Sequence, residues 1–228
     1  MFGAKEKVNR YDHWLDKYPF DPSEEGMILM YGHSLFTRCG PMSGEWGNPN
    51  IEEHVLMKDG SRAIVNHGFG GSNVEDQLFY YSRLVRPWKP RALLLACGGN
   101  DVSLGYTAKE LMELHARLIQ WAQADFPGIP IYCFGRGPLA SWKRAEATKR
   151  SIIIRNDYNA YLEDFCARTE NCTYVPLHKQ AFYFENPEDI GDYDKVRDDI
   201  FAEDGVHLKA NGYGMFMDFI RELLDNLL

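Results

Sequence analysis

The sequence predicts a single α/β domain in which a parallel sheet carries helices on both faces. Short apolar runs alternate along the 228 residues with longer segments of helical periodicity. Most of the short runs are continuously apolar, which is typical of strands that are covered on both faces. Hydrophobic residues make up 45% of the chain, enough to form a sizeable core.

Five short runs are predicted to be the strands of this sheet. They are MILMYG (27–32), AIVNHG (63–68), ALLLACGG (92–99), IPIYCFG (129–135) and TYVPL (173–177). Parallel strands need crossover connections, and the segments between these runs are long enough to supply them. In such sheets the functional crevice lies at the carboxyl ends of the strands. The residues that follow each run are therefore the candidates for a site.

Helices are predicted between and after the strands. The segment 107–126 begins with Thr107 and Glu110 in capping-box spacing and continues with leucines at helical spacing. Residues 143–168 also have a helical pattern. In the C-terminal segment 212–228, the residues predicted to share one apolar face are Met215, Phe216, Phe219, Ile220, Leu223 and Leu227.

A further short amphipathic helix is predicted near the N-terminus, over residues 8–18. Its apolar residues, which we expect to pack on the body of the domain, are Val8, Tyr11, Trp14, Leu15 and Tyr18. We therefore expect an N-terminal extension, residues 1–25, followed by one domain, residues 26–228.

Composition excludes several classes of protein. The formal net charge of −8 argues against nucleic acid or an anionic membrane surface as the main partner. No apolar run approaches the roughly 18 residues of a membrane span, and the N-terminal residues lack an apolar stretch of signal-peptide length. These features predict a cytoplasmic protein. The five cysteines show no C-x-x-C spacing, so neither a disulfide framework nor a zinc site is expected.

Four motifs fall at the ends of predicted elements. They are YGHSL with Ser34, NHGFGGSNVED with Gly68, Gly70 and Gly71, CGGNDVSLG with Asn100 and Asp101, and EDGVHLKANGYG with Asp204 and His207. Each has a simple structural interpretation as a turn, a helix cap or a glycine-rich phosphate loop. Four such features at the ends of successive elements favour a common site at one edge of the sheet.

The residue types in these motifs suit nucleophilic catalysis. A serine hydroxyl is a poor nucleophile until an adjacent base accepts its proton, and His207 is the natural base for Ser34. Asp204, three residues before His207, can fix the imidazole tautomer and stabilise its charged form. A glycine N–H and the Asn100 amide can stabilise a tetrahedral oxyanion.

These motifs resemble the four blocks of the SGNH hydrolase superfamily, the GDSL-type esterases and lipases, and the resemblance covers roughly residues 26–225. It implies a three-layer α/β/α sandwich with a flavodoxin-like, five-stranded parallel sheet. It also implies that Ser34 is the nucleophile, that His207 is the base and that Asp204 orients it. The implied oxyanion hole consists of the Ser34 N–H, the Gly71 N–H and the Asn100 side chain. Gly71 is preferred to Gly70 because it lies five residues after Asn66, as in the family's block.

One position departs from the family's pattern, since the usual G-D-S-L begins here as Gly32-His33-Ser34-Leu35. Adjacent side chains at the end of a strand tend to point in opposite directions. We therefore expect His33 to face inward beneath the loop and to bond backbone groups, which is the structural role of the usual Asp. The family's Asp at this place is not the acid of the triad.

The resemblance predicts an enzyme that cleaves esters of small molecules without a cofactor or metal. Small acyl esters and acetylated carbohydrates are the expected substrates. Two alternatives remain at this stage: a flavin-binding flavodoxin-like module, and a catalytically silent SGNH fold that only binds. A metal-dependent hydrolase is disfavoured because the seven histidines show no H-E-x-x-H or comparable pairing. The oligomeric state is not predicted.

The segment 178–204 leads into Asp204 and is expected to lie near the mouth of the site. It contains nine acidic and three basic residues. Its field is expected to disfavour anionic substrates.

Overall fold

Five parallel strands form the centre of the protein, whose computed structural model describes residues 11–144 and 148–228. The strands are β1 (Ile28–Gly32), β2 (Ile64–Gly68), β3 (Ala92–Ala96), β4 (Ile131–Phe134) and β5 (Cys172–Val175). They lie in the order β2-β1-β3-β4-β5, and all neighbouring strands are parallel. The predicted parallel sheet of five strands is confirmed.

Helices cover both faces of this sheet. The α-helices of the described residues are α1 (Asp12–Leu15), α2 (Ser34–Thr37), α3 (Ile51–His54), α4 (Val74–Leu84), α5 (Ala108–Asp125), α6 (Thr148–Ala167) and α7 (Ala210–Leu223). Within these residues no helix is both long enough and apolar enough to cross a membrane. The predicted capping box at Thr107 and Glu110 is present at the start of α5.

Alternate residues of each strand pack into two separate hydrophobic cores, one on each face of the sheet. In β1, Leu29 and Tyr31 pack in the core that contains α1, α4, α5 and α6. Ile28 and Met30 pack in the opposite core, with α2, α3 and α7. Because side chains alternate across a strand, a strand buried on both faces must be apolar throughout. The three-layer α/β/α architecture is therefore confirmed.

Two helix predictions need correction. Within the described part of the predicted segment 8–18, the helix is α1 with four residues, and Tyr11, Trp14 and Tyr18 are buried as expected. After Leu15 the chain continues in turns, with backbone bonds from Lys17 to Trp14 and from Tyr18 to Leu15. The Tyr18 hydroxyl donates to the Gly68 carbonyl and so attaches this segment to the end of β2. Val8 lies outside the described residues.

The buried face of α7 is rotated from the predicted one. Phe216 and Ile220 are fully buried as predicted, together with Tyr213 and Met217, which the prediction left out. The predicted residues that only border the core are Met215, Phe219, Leu223 and Leu227. Apolar residues are so dense in this segment that more than one helical face is hydrophobic, and packing against the sheet selects between them.

The strand order places the crevice between β1 and β3. The chain runs from β1 outward to β2 and then returns to β3 on the other side of β1. The connections after β1 and β3 therefore diverge to opposite faces and leave an opening at their carboxyl ends. Ser34 follows β1, and Asn100 follows β3 by four residues. Both predicted site residues thus border the opening.

Two buried histidines make the stability of the fold sensitive to acid. Burial lowers the pKa of His67 to about 4 and that of His115 to about 3. Both are neutral in the folded protein, whereas their pKa in the unfolded chain is about 6.5. Below pH 6.5 the unfolded state therefore binds more protons than the folded state. As the pH falls from 6.5 to the folded-state pKa, each histidine lowers the free energy of unfolding by up to about 1.4 kcal/mol per pH unit.

We expect the urea midpoint to decrease steadily between pH 6.5 and pH 4.5. In the variant His115→Phe this decrease should be shallower, because one titrating group is gone. The surface variant His54→Phe serves as a control, since His54 is exposed. An equal pH dependence of unfolding in His115→Phe and in the wild type would contradict this account.

Candidate active site

Ser34 lies where β1 ends and α2 begins. The preceding His33 has an extended backbone, and its Nδ1 atom is 3.2 Å from the Leu35 N–H, so that His33 caps α2. Ser34 is the first residue of that helix, and its half-buried side chain borders two clefts. His33 itself is 4% exposed. It faces inward beneath the loop, in agreement with the sequence-based expectation.

The loop before α7 brings His207 to Ser34. Nε2 of His207 is 2.9 Å from Oγ of Ser34, and Nδ1 is 2.7 Å from Oδ2 of Asp204. Asp204 also accepts the backbone N–H groups of Val206 and His207 through Oδ1, at 2.8 and 2.9 Å. These bonds lock the turn so that the imidazole points at the serine hydroxyl. The three residues that the sequence singled out as a triad thus form one hydrogen-bonded chain.

The protonation states of this chain suit a base at neutral pH. Burial lowers the pKa of His207 below its usual range, and the nearby Arg38 adds to this effect, while Asp204 opposes it. Partial burial by itself would raise the pKa of Asp204. The hydrogen bonds from His207 and Val206 outweigh burial and lower that pKa to about 2. At pH 7 the histidine is therefore neutral and the aspartate is charged.

Gly71 and Asn100 border the clefts beside Ser34. Gly71 has a φ of 79°, a conformation that side chains rarely adopt, and a Cβ there would lie 3.1 Å from the Tyr11 hydroxyl. The Asn100 amide donates to the Ser72 carbonyl at 2.9 Å. The second hydrogen of this amide has no acceptor among the described residues. Gly71 and Asn100, the residues predicted to supply oxyanion donors, thus line one cleft together with Ser34.

Asp101, the neighbour of Asn100, has a structural role. Its Oδ1 atom accepts the Val74 N–H at the start of α4 at 2.9 Å, and its side chain is fully buried. Burial raises the pKa of Asp101 to about 6. The bond connects the loop after β3 to the glycine-rich loop after β2. The two loops that carry Asn100 and Gly71 are therefore held in register.

Two clefts meet at the side chains of Ser34, Asn100 and His207. The first extends over His33 toward Arg136 and Arg155. The side chains that distinguish the second are Trp14, Trp46 and Arg38. An ester has two arms on either side of its carbonyl carbon, and the two clefts provide space for both.

Several residues around the site were missed by the sequence analysis. Arg136 follows β4 by two residues, a position at the same edge as the recognised motifs, so the strand-end rule could have found it. Arg155 lies inside α6, where a single arginine gives no signal. Arg38 lies 3.9 Å from Asp204 and stacks over Trp46. Trp14 reaches the second cleft from α1, which no local pattern predicts.

The sequence matches the GDSL-like Lipase/Acylhydrolase family over residues 30–215. The chain belongs to this family. Its members act on ester bonds, and the chain is accordingly a hydrolase of that class. The flavin-binding alternative loses its basis, because only the shape of the sheet suggested it. No curated protein matches the chain significantly.

Solved structures with low sequence identity share the fold. A GDSL-like lipase from Bacteroides thetaiotaomicron is 17% identical, with a TM-score of 0.68 over 97% of this chain and 98% of that one. A lipase/acylhydrolase from Enterococcus faecalis is 16% identical, with a TM-score of 0.63 over 89% and 97% of the two chains. A member of the lipolytic protein G-D-S-L family from Veillonella parvula is 16% identical, with a TM-score of 0.61 over 84% and 93%.

Neither metal-binding clusters nor disulfides occur in the part of the chain that the structure describes. No group of three or more histidine, cysteine or acidic side chains there is arranged to hold a metal ion. All five cysteines are free thiols.

The environment of His207 predicts how its pKa responds to Arg38. Removing the positive charge in Arg38→Gln should raise the pKa of His207, because the remaining Asp204 favours the charged imidazole. The measurement is an NMR titration of the His207 ring between pH 4.5 and pH 8. Arg168→Gln is the control, since Arg168 is exposed and paired with Asp164. A pKa that stays constant or falls in Arg38→Gln would show that Arg38 does not act on the base.

Proposed function

We propose that the protein is a serine esterase that cleaves carboxylic esters through an acyl-enzyme. Ser34 is the nucleophile, His207 the general base and acid, and Asp204 the group that orients His207. The Ser34 N–H, the Gly71 N–H and the Asn100 side chain form the oxyanion hole. The observation that carries this proposal is the chain of hydrogen bonds from Asp204 through His207 to Ser34, at 2.7 and 2.9 Å.

In the first half of the reaction, the Ser34 oxygen attacks the ester carbonyl carbon as its proton moves to Nε2 of His207. The carbonyl oxygen becomes an oxyanion. When the tetrahedral intermediate collapses, the bond to the alcohol oxygen breaks and His207 donates its proton to the leaving alcohol. Asp204 stabilises the imidazolium during these steps. The products are the free alcohol and an acyl group on Ser34.

In the second half, a water molecule replaces the alcohol. His207 removes a proton from the water as the water oxygen attacks the acyl carbon. Collapse of the second intermediate breaks the bond to the serine oxygen, and the proton returns to Ser34. Both halves need His207 neutral at the outset, which the lowered pKa of His207 supports at pH 7.

The substrates proposed are esters of small molecules, including small acyl esters and acetylated carbohydrates. Trp46 is 38% exposed at the rim of the second cleft, and Trp14 also borders this cleft. Aromatic rings at such positions can pack against the apolar face of a sugar or an acyl chain. We also retain the expectation of a cytoplasmic enzyme that needs no cofactor.

Loss of either Ser34 or His207 should remove most of the esterase activity. We expect Ser34→Ala and His207→Ala to lower kcat/KM by roughly 10³-fold or more, since the members of a triad act as a unit. Asp204→Ala should be milder, because Asp204 forms no bond to the substrate. The assay is hydrolysis of a series of 4-nitrophenyl esters, and wild-type activity should persist in EDTA.

Labelling by a fluorophosphonate tests whether Ser34 is a reactive nucleophile or belongs to a catalytically silent fold. The wild type should be labelled at Ser34, and Ser34→Ala should not. Full activity in Ser34→Ala, or a wild type that is folded but neither labelled nor active, would disprove the proposed function.

Asn100 should act mainly in the transition state. We expect Asn100→Ala to lower kcat by roughly 10²- to 10³-fold with little change in KM, because its hydrogen bond strengthens as the oxyanion develops. Steady-state kinetics on one ester separate the two constants. A loss confined to KM would instead assign Asn100 to binding of the ground state.

A further inference from the structure

Two arginine side chains border the first cleft, and neither has an ion-pair partner among the described residues. Arg136 follows β4, and Arg155 lies on α6 with 6% of its surface exposed. Neither guanidinium forms an ion pair with an acidic side chain among the described residues. Nε of Arg136 and Nη1 of Arg155 are buried and have no hydrogen-bond acceptor there.

The protein holds Arg136 in place through its backbone. Asn159 of α6 receives the Arg136 N–H on Oδ1 at 2.6 Å and donates from Nδ2 to the Arg136 carbonyl at 3.0 Å. Arg155 lies one turn before Asn159 on the same helix. Its Nε donates to Ser151 at 3.3 Å, and its guanidinium stacks over Trp142. The two charges are therefore positioned by one helix beside the cleft.

No neighbouring side chain among the described residues forms an ion pair with these guanidinium groups. Nη1 of Arg136 contacts Nε2 of His33, and Nδ1 of His33 faces the Leu35 N–H. A neutral imidazole has only one acceptor nitrogen, so His33 can accept one of these two donors. Burial, followed by the charges of Arg136 and Arg155, lowers the pKa of His33 well below its usual range, which keeps His33 neutral. Asp101 accepts the Val74 N–H through Oδ1, while its Oδ2 has no hydrogen-bond partner among the described residues. Its charge attracts Arg136, but the two side chains form no ion pair.

Two positive charges in such a place are unfavourable for folding. Taking a guanidinium out of water costs free energy that is recovered only when a counter-charge and hydrogen-bond acceptors are supplied. Burial, followed by the charge of Arg136, lowers the pKa of Arg155 to about 9, so that Arg155 is still charged at pH 7. Among the described residues, Arg136 Nε and Arg155 Nη1 lack acceptors and neither guanidinium has an ion-pair partner, which points to a ligand that enters the cleft.

We propose that Arg136 and Arg155 bind an oxyanion on the ester substrate, a carboxylate or a phosphate, while its ester group lies at Ser34. This inference rests on the proposed function, since it assigns the charge of the substrate for the same site. A carboxylate or phosphate would supply acceptors for Arg136 Nε and Arg155 Nη1 and offset their charge. Apolar side chains also line this cleft, among them Leu35, Leu139 and Val206, and they would contact the linking carbons.

The acidic segment 178–204 does not oppose this assignment. Its charges are largely exposed, and several are already paired, including Glu185 with Lys195 and Asp199 with Arg197. Salt screens exposed charges over about 8 Å at physiological ionic strength, whereas buried charges are screened much less. The arginines, which border the cleft directly, therefore dominate the field at the substrate.

Binding is tested first in the Ser34→Ala protein, so that no turnover is required. Titration calorimetry compares monomethyl glutarate and monomethyl phosphate with neutral dimethyl glutarate. We expect at least one anion to bind at least tenfold more tightly than the neutral diester. Adding Arg155→Met should lower the affinity for that anion at least tenfold, whereas Arg155→Lys should retain part of the affinity. The control Arg168→Met should leave the affinity unchanged.

Thermal unfolding separates a binding role from a structural one. Replacing an unpaired buried charge by an apolar side chain is often neutral or stabilising. We expect ligand-free Arg155→Met to unfold at the same temperature as the parent protein or at a higher one. A clearly lower temperature would assign Arg155 to the core instead.

Kinetics of the wild type locate the oxyanion on the substrate. One pair of substrates is mono-4-nitrophenyl adipate and its methyl ester, with the charge on the acyl arm. The other pair is 4-acetoxybenzoate and its methyl ester, with the charge on the alcohol arm. In one of the two pairs, we expect kcat/KM of the wild type to be at least tenfold higher for the anion than for its methyl ester. This preference should be lost in Arg155→Met. It should be reduced in His33→Asp, because the aspartate supplies an internal counter-charge.

The outcomes distinguish the two proposals. Anion binding to Ser34→Ala without any esterase activity of the wild type would reject the proposed function and retain the anion site. Efficient hydrolysis of neutral esters together with no anion binding, or with binding that Arg155→Met leaves unchanged, would reject the anion site alone.

Discussion

The hydrogen bond between Ser34 and His207 is the interaction on which the site depends, and it joins residues 173 positions apart in the sequence. It requires α2, which begins at Ser34, and α7, which follows His207, to lie against the same face of the sheet. Three aromatic rings hold them there. Phe36 of α2 packs edge-on against Phe134 of β4 at 5.5 Å, and both contact Phe216 of α7, at 6.4 and 6.3 Å. The geometry of the catalytic pair is thus a consequence of core packing.

The other half of the site is held by polar contacts that cross between loops. Asp204 receives two backbone N–H groups from its own turn and so sets the direction of the imidazole. Asp101 receives the Val74 N–H and joins the loops that carry Asn100 and Gly71. The two aspartates show opposite effects of environment. In Asp204 several hydrogen bonds outweigh partial burial and lower the pKa, whereas in Asp101 burial outweighs them and raises it.

Features with a local signal could be predicted from the sequence. A run of apolar residues, a glycine-rich turn or an aspartate three residues before a histidine is visible within a few positions, and the sheet and the four motifs were predicted from such signals. Features that depend on packing could not be predicted in this way. The buried face of α7 was misjudged because the segment is apolar on more than one side, and α1 ends at Leu15 instead of residue 18. Arg155 lies near Ser34 only because α6 packs against the sheet, and no local sequence pattern predicts this packing.

The histidine at position 33 shows how one substitution can keep a local structure and change the electrostatics around it. Aspartate and histidine at this place can each accept the N–H of the residue two positions on, so either caps the short helix that presents Ser34. Their charges differ. An aspartate beside Arg136 would be ionised and would neutralise it as a buried ion pair, whereas the neutral His33 contacts the guanidinium without cancelling its charge. The replacement therefore leaves the nucleophile in position and adds one unit of positive charge to the wall of the cleft. Since no carboxylate among the described residues forms an ion pair with Arg136, this charge can attract a group that enters the cleft.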